Sequence, residues 1–157
     1  MRKRYLLFFI MFLFMTGCEN QEEAIKNEYI AMKNQAFNDE NYKIREELPV
    51  EIITTIERID EEEIHYKVTI KNPKENMHQV KAIVVHNCHN ENLFPSIGVF
   101  DEAKDLLVGS DEKESELILR DTIKTTTNIS KLDLELRIWI EYLDDDNKIK
   151  DIYYKTT

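Results

Sequence analysis

The sequence predicts a mainly β domain, an antiparallel two-sheet sandwich of about seven strands preceded by a short amphipathic helix. Three observations predict it. From residue 48 onward apolar and polar residues alternate with a period of two, as strands with one buried and one wet face do. The alternating runs are short and are separated by polar turns at about every eight to twelve residues, a sandwich spacing rather than that of βαβ units. Ahead of them, Ile25, Tyr29, Met32 and Ala36 recur at helical spacing. A closed barrel satisfies the same pattern and is the alternative architecture.

The N-terminus of the 157-residue chain reads as an address. Arg2, Lys3 and Arg4 form a cationic stretch, and an apolar run follows from Tyr5 to Met15. Its eleven residues, at 1.5 Å rise each, fall well short of the ~30 Å hydrocarbon core, so a cleavable signal fits better than a spanning helix. Small Thr16 and Gly17 then precede Cys18. Met15-Thr16-Gly17-Cys18 resembles the lipobox of bacterial lipoproteins, with Met where Leu is commonest. The resemblance implies a thioether-linked diacylglycerol on Cys18, cleavage before Cys18, and a mature protein lipid-anchored on the extracytoplasmic face of the cell membrane. The residue types suit that chemistry. Small residues admit a peptidase, and the Cys18 thiolate is the nucleophile for alkylation. Two or three acyl chains, at about 0.8 kcal/mol per buried methylene, hold a protein at a bilayer. The plainer reading is an ordinary secretory signal in which Cys18 is incidental. The chain thus divides into a signal peptide at 1–17, a lipidated N-terminus and helical spacer at 18–47, and a β-sandwich domain at 48–157.

In the spacer, Asn20 with Glu23 three residues on is similar to a capping box. Glu22 and Lys26 stand at a pairing distance of i, i+4. Asn38-Asp39-Glu40-Asn41 ends the helical pattern, and a single amphipathic stripe predicts partial docking on the following domain. Strands are expected at Val50–Ile59 and Glu63–Lys71, the first with Val50, Ile52, Thr54 and Ile56 on one face. The second places Ile64, Tyr66, Val68 and Ile70 on one face and His65, Lys67, Thr69 and Lys71 on the other. Gln79–Val85, Ile97–Phe100 and Ser115–Leu119 follow. Lys131–Leu143 carries the strongest alternation, with Leu132, Leu134, Leu136, Ile138, Ile140 and Tyr142 inward, and Lys148–Lys155 closes the domain. The stretch from Asn92-Leu93-Phe94-Pro95-Ser96 through Leu107-Val108-Gly109-Ser110-Asp111-Glu112-Lys113 to Leu117-Ile118-Leu119 resembles the immunoglobulin-like domains of Gram-positive surface lipoproteins. That resemblance implies a fold and carries over no functional residue; the Cys…Trp…Cys signature of antibody domains is absent. The Lys-, Ile-, Asn- and Glu-rich composition likewise resembles that of low-GC Gram-positive organisms.

Charge argues against nucleic acid as a partner. The formal charge is −10, and loss of Arg2, Lys3 and Arg4 with the signal takes it to −13. With Cys18 consumed by lipid, Cys88 has no intrachain partner, so no disulfide framework exists and the fold rests on packing. An unpaired thiol of this kind is ordinarily buried.

Three constellations bear on function. His86, Cys88 and His89 offer imidazole and thiolate, a set that suits Zn²⁺ or Cu⁺; the plainer reading is an inward Cys88 at a strand end with two loop histidines. Asp144-Asp145-Asp146-Asn147 offers oxygen ligands but lacks the Gly and distant bidentate Glu of a calcium loop, and sits where a hairpin turn is expected. Trp139 falls on the outer face of its strand. A three-residue turn would set it opposite Tyr153, with Ile140 against Ile152 inside; a two- or four-residue turn would set it opposite Ile152, with Glu141 against Lys150, and either leaves an apolar cross-strand pair on the outer face. This pair is either covered by the helix stripe or a crossing loop, or is an aromatic contact patch for a protein or glycan. Catalysis has little support: no serine lies in a nucleophile elbow, no carboxylate pair stands out, and three glycines do not build a phosphate-cradling loop. The expectation is a non-enzymatic interaction module anchored at the membrane, without a cofactor beyond its lipid, meeting an envelope protein or extracellular ligand. A metal-binding lipoprotein using His86, Cys88 and His89 is the alternative.

Overall fold

The computed structural model describes residues 16–42, 47–88, 93–111, 116–124 and 133–156, with backbone alone for 16–20. The predicted spacer is one long helix, α1 (Thr16–Phe37). Asn20 lies inside it rather than capping it, because no residue between Thr16 and Glu19 forces a break and helical bonding continues through Cys18. Asn38 ends it. Its backbone turns extended, and its Oδ1 accepts from Glu40 N at 3.2 Å to open a single 3-10 turn, Asp39–Asn41. Among the described residues no helix is long and apolar enough to cross a membrane.

Eight antiparallel strands follow among the described residues: β1 (Glu51–Arg58), β2 (Glu63–Lys71), β3 (Met77–His86), β4 (Ser96–Ile97), β5 (Lys104–Leu106), β6 (Leu117–Lys124), β7 (Leu136–Leu143) and β8 (Ile149–Lys155). They form a three-stranded sheet, β1-β2-β6, and a five-stranded one, β4-β3-β7-β8, with β5 also paired to β3. The architecture is the predicted sandwich of two separate sheets, with one strand more than expected. The addition is β5, whose Lys-Asp-Leu is too short to display a period. β6 runs on past Leu119 to Lys124, and Lys131–Leu132 lies outside the described residues.

The alternation places the core where the sequence puts it. Ile64, Tyr66, Val68 and Ile70 of β2 face Leu136, Ile138, Ile140 and Tyr142 of β7 across the sandwich, all buried. Each fully buried aliphatic contributes about 1.5–3 kcal/mol. Ile56 departs from the expectation: it lies toward the end of the edge strand β1 and is 42% exposed.

A third layer is α1 itself. Tyr29, Met32 and Ala36 are buried against Ile83, Val85 and Trp139 on the outer face of the five-stranded sheet, with Ile25 and Tyr153 partly buried beside them. The helix direction is fixed by two contacts. Glu28 pairs with Lys81, which lies opposite Glu141 in the β3–β7 register. Arg137 Nη1 donates to Phe37 O at 3.2 Å, and its Nη2 meets Asp39 at 2.9 Å. Both the helical interval 28–37 and the strand interval 137–141 span about 13 Å, so α1 lies antiparallel to β7. Its N-terminal end therefore points to the same end of the sandwich as the β7–β8 hairpin.

Candidate functional site

Of the two outer-face pairings open to Trp139, the structure shows the aromatic one, and it is covered. Trp139 stands opposite Tyr153 and Ile140 opposite Ile152, the pairing expected of a three-residue turn. Asp144 N bonds Lys148 O at 3.0 Å and Asn147 takes a positive φ of 59°, which leaves Asp145-Asp146-Asn147 as the turn. Asp144 Oδ1 accepts from Asp146 N at 3.0 Å and Lys148 N at 2.9 Å, and these bonds hold its carboxyl below the usual range. The acidic run is thus the frame of a hairpin. Trp139 is 5% exposed in one buried cluster with Met32, and its Nε1 donates to Asp151 Oδ1 at 3.0 Å. Tyr153 donates its hydroxyl to Gln35 Oε1 at 3.2 Å. A cleft of about 240 Å³ remains between helix and sheet, with Lys81 between Glu28 and Glu141 on its wall.

At the His86 cluster the structure departs from the sequence expectation in one respect, the placement of His86. His86 is the last residue of β3, not a loop residue, and is 3% exposed. Its ring meets Tyr66 at 6.0 Å and Phe94 at 5.0 Å between centroids, both edge-on, so it joins the inter-sheet core to the helix-covered core. Its Nδ1 and the Tyr66 hydroxyl are buried with no hydrogen-bond partner among the described residues. Burial pushes the His86 pKa below its ordinary value against the raising influence of the Cys88 backbone and Asp121. Cys88 is half-buried and packs against the inter-sheet core, and burial pushes its thiol pKa up. That makes it a weaker nucleophile and ligand. His89 lies outside the described residues, and among those described no three His, Cys, Asp or Glu side chains converge to hold a metal. Cys18 falls in the first turns of α1, with its side chain outside the description.

A depression lies on the opposite surface, the outer face of the three-stranded sheet. It measures about 420 Å³ and is lined by Thr55, Glu57, His65, Tyr66, Lys67, Arg120, Asp121 and Thr122. The register brings these together: Thr55, Lys67 and Arg120 form one cross-strand row, and Glu57, His65 and Thr122 the next. Sequence reading had placed His65 and Lys67 outward. It missed Thr55, Arg120 and Thr122 because the row requires β6 to pair with β2 and to extend beyond Leu119. The outward alternation of β2 was the available signal.

Comparison of the chain with protein-family models, with curated proteins and with solved structures finds no match.

Proposed function

We propose that this protein is a non-enzymatic binding module, lipid-anchored through Cys18 on the extracytoplasmic face of a cell membrane. The observation that carries the reading is the continuity of α1. One helix begins within the lipobox-like segment and ends docked on Trp139. The segment that would bear the lipid is therefore part of the folded unit, and it leaves the sandwich at one defined end. The sheets β1-β2-β6 and β3-β7-β8 match the A-B-E and C-F-G strands of an immunoglobulin-like domain, while the short β4 and β5 pair with β3 rather than joining the first sheet as the fourth strand of a constant-type domain does. Ligand binding on exposed sheet faces suits that scaffold, and the sequence offers no nucleophile elbow or paired acid and base for catalysis.

Mass spectrometry of the protein extracted from its own membranes tests the anchor. The expected N-terminal peptide begins at Cys18 and carries a diacylglycerol, and Cys18→Ala releases the protein from the membrane fraction. A peptide with intact Met1 and an unmodified Cys18 would overturn the reading.

A further inference from the structure

We propose that the depression on the outer face of the three-stranded sheet is a binding site for an oxyanion, the phosphate or carboxylate group of an extracellular ligand, held by Lys67 and Arg120. This gives the binding-module reading a ligand class, and it stands whether or not Cys18 is acylated.

Lys67 and Arg120 are directly opposite in the β2–β6 register. Like charges so placed repel, since their Cβ atoms sit about 5 Å apart. In a chain with 31 acidic residues against 21 basic ones, a carboxylate partner for each would be readily supplied. On the five-stranded sheet that is what happens: Lys81, Arg137, Lys150 and Lys155 each have a carboxylate at 3.6 Å or less. Lys67 and Arg120 have no ion pair or side-chain hydrogen bond among the described residues.

The lining supplies what an oxyanion needs. Arg120 offers a planar fork suited to two oxygens at once, and Lys67 offers a point charge. Thr55 beside Lys67 and Thr122 one row on add hydroxyl donors. Two carboxylates border the site. Glu57 stands one row away, opposite His65, and His65 is engaged with Glu63 at 2.6 Å. Asp121 shares the inward side of β6 with Leu119 and Ile123, where its Oδ1 accepts from Thr122 N at 2.7 Å. Next to the cationic row, Ile53 and Ile118 flank buried Thr69 and are 37% and 43% exposed. The ligand is therefore an anion with a small apolar portion to lie on that row.

The test is an NMR titration of the full chain in detergent micelles with inorganic phosphate and, separately, acetate, against chloride at matched ionic strength. Saturable shifts at the amides of Thr55, Lys67, Arg120 and Thr122 with either oxyanion support the site. The tighter anion tells a phosphate-bearing ligand from a carboxylate-bearing one. Lys67→Gln with Arg120→Gln should weaken binding about tenfold or more, as the loss of two charge-assisted bonds does. Lys148→Gln on the β7–β8 hairpin should leave it unchanged, and the charge-keeping pair Lys67→Arg with Arg120→Lys should retain it. No saturable shift, equal shifts with chloride, or indifference to the double Gln substitution would overturn the site while leaving acylation of Cys18 to be judged on its own mass.

Discussion

Two histidines impose opposite pH responses on the folded chain. His86, edge-on to Tyr66 and Phe94 with Asp121 nearby, is held neutral by burial, so its folded pKa lies below the ordinary value of about 6.5. Its stabilisation is present above that value and is lost as pH falls through the depressed folded pKa, because the unfolded ring takes up the proton first. His78 is the reverse. Asp145 and Asp105 bracket its ring at 3.1 and 3.3 Å and raise its pKa. Its contribution is complete below about 6.5 and is lost as pH rises through the raised value. Urea unfolding measured between about pH 5 and 8 should show both limbs. His86→Phe should flatten the acid side, and His78→Gln the alkaline side. Because His78 is half-buried and its partners Asp105 and Asp145 are exposed, the alkaline effect should fade with added salt. Gly98 is a third single-residue test. Its φ is 77°, and an added Cβ would meet Lys81 Cγ at 2.8 Å and Val80 O at 3.1 Å. Gly98→Ala should therefore cost about 1 kcal/mol or more in chemical denaturation.

At the scale of elements, the docking of α1 has a built-in reporter. Trp139 is the sole tryptophan, and Met32 of α1 shares its buried cluster. Met32→Asp would bury a charge under the helix, so α1 should detach and Trp139 emission should shift to the red while the sandwich keeps its far-ultraviolet β signal. Trp139→Ala should cost about 3–5 kcal/mol, as large core truncations do. These elements were largely legible beforehand. The stripe Ile25, Tyr29, Met32 and Ala36 named the docking face of the helix, and the even-numbered residues of β7 named the inward face. What escaped had physical reasons. β5 is three residues held by its pairing with β3 rather than by propensity, and the outer half of β6 (Arg120-Asp121-Thr122) has no apolar alternation to announce it. His86 looked like a loop residue because a polar ring at a strand end gives no hint that two aromatic partners from distant segments will enclose it. The oxyanion row was hidden for a related cause: it exists only once three strands adopt one register.

The whole molecule has three layers and two ends. The helix covers one face, and the Lys67–Arg120 row lies on the other, so neither surface obstructs the other. The antiparallel course of α1 along β7 sends its N-terminus toward the Asp144–Lys148 hairpin, and His86 and Phe94 sit at the opposite end. With Cys18 acylated, a spin label at Asp145 should lie nearer the lipid phase than one at Glu61 in the β1–β2 turn, as read by collision with a membrane-bound relaxant. Equal collision rates would contradict that orientation. The helix also sets how far the body can roam. Ile25 is the first docked residue among the described side chains of the helix, seven positions after Cys18, and seven residues of helix reach about 10 Å. A slack chain of residues 18–47 would instead allow excursions of roughly 30 Å. With Cys18 acylated, the domain would be moored close to the headgroups like a stanchion, not trailed on a line, and a captured ligand would have to come to the lipid surface to be caught.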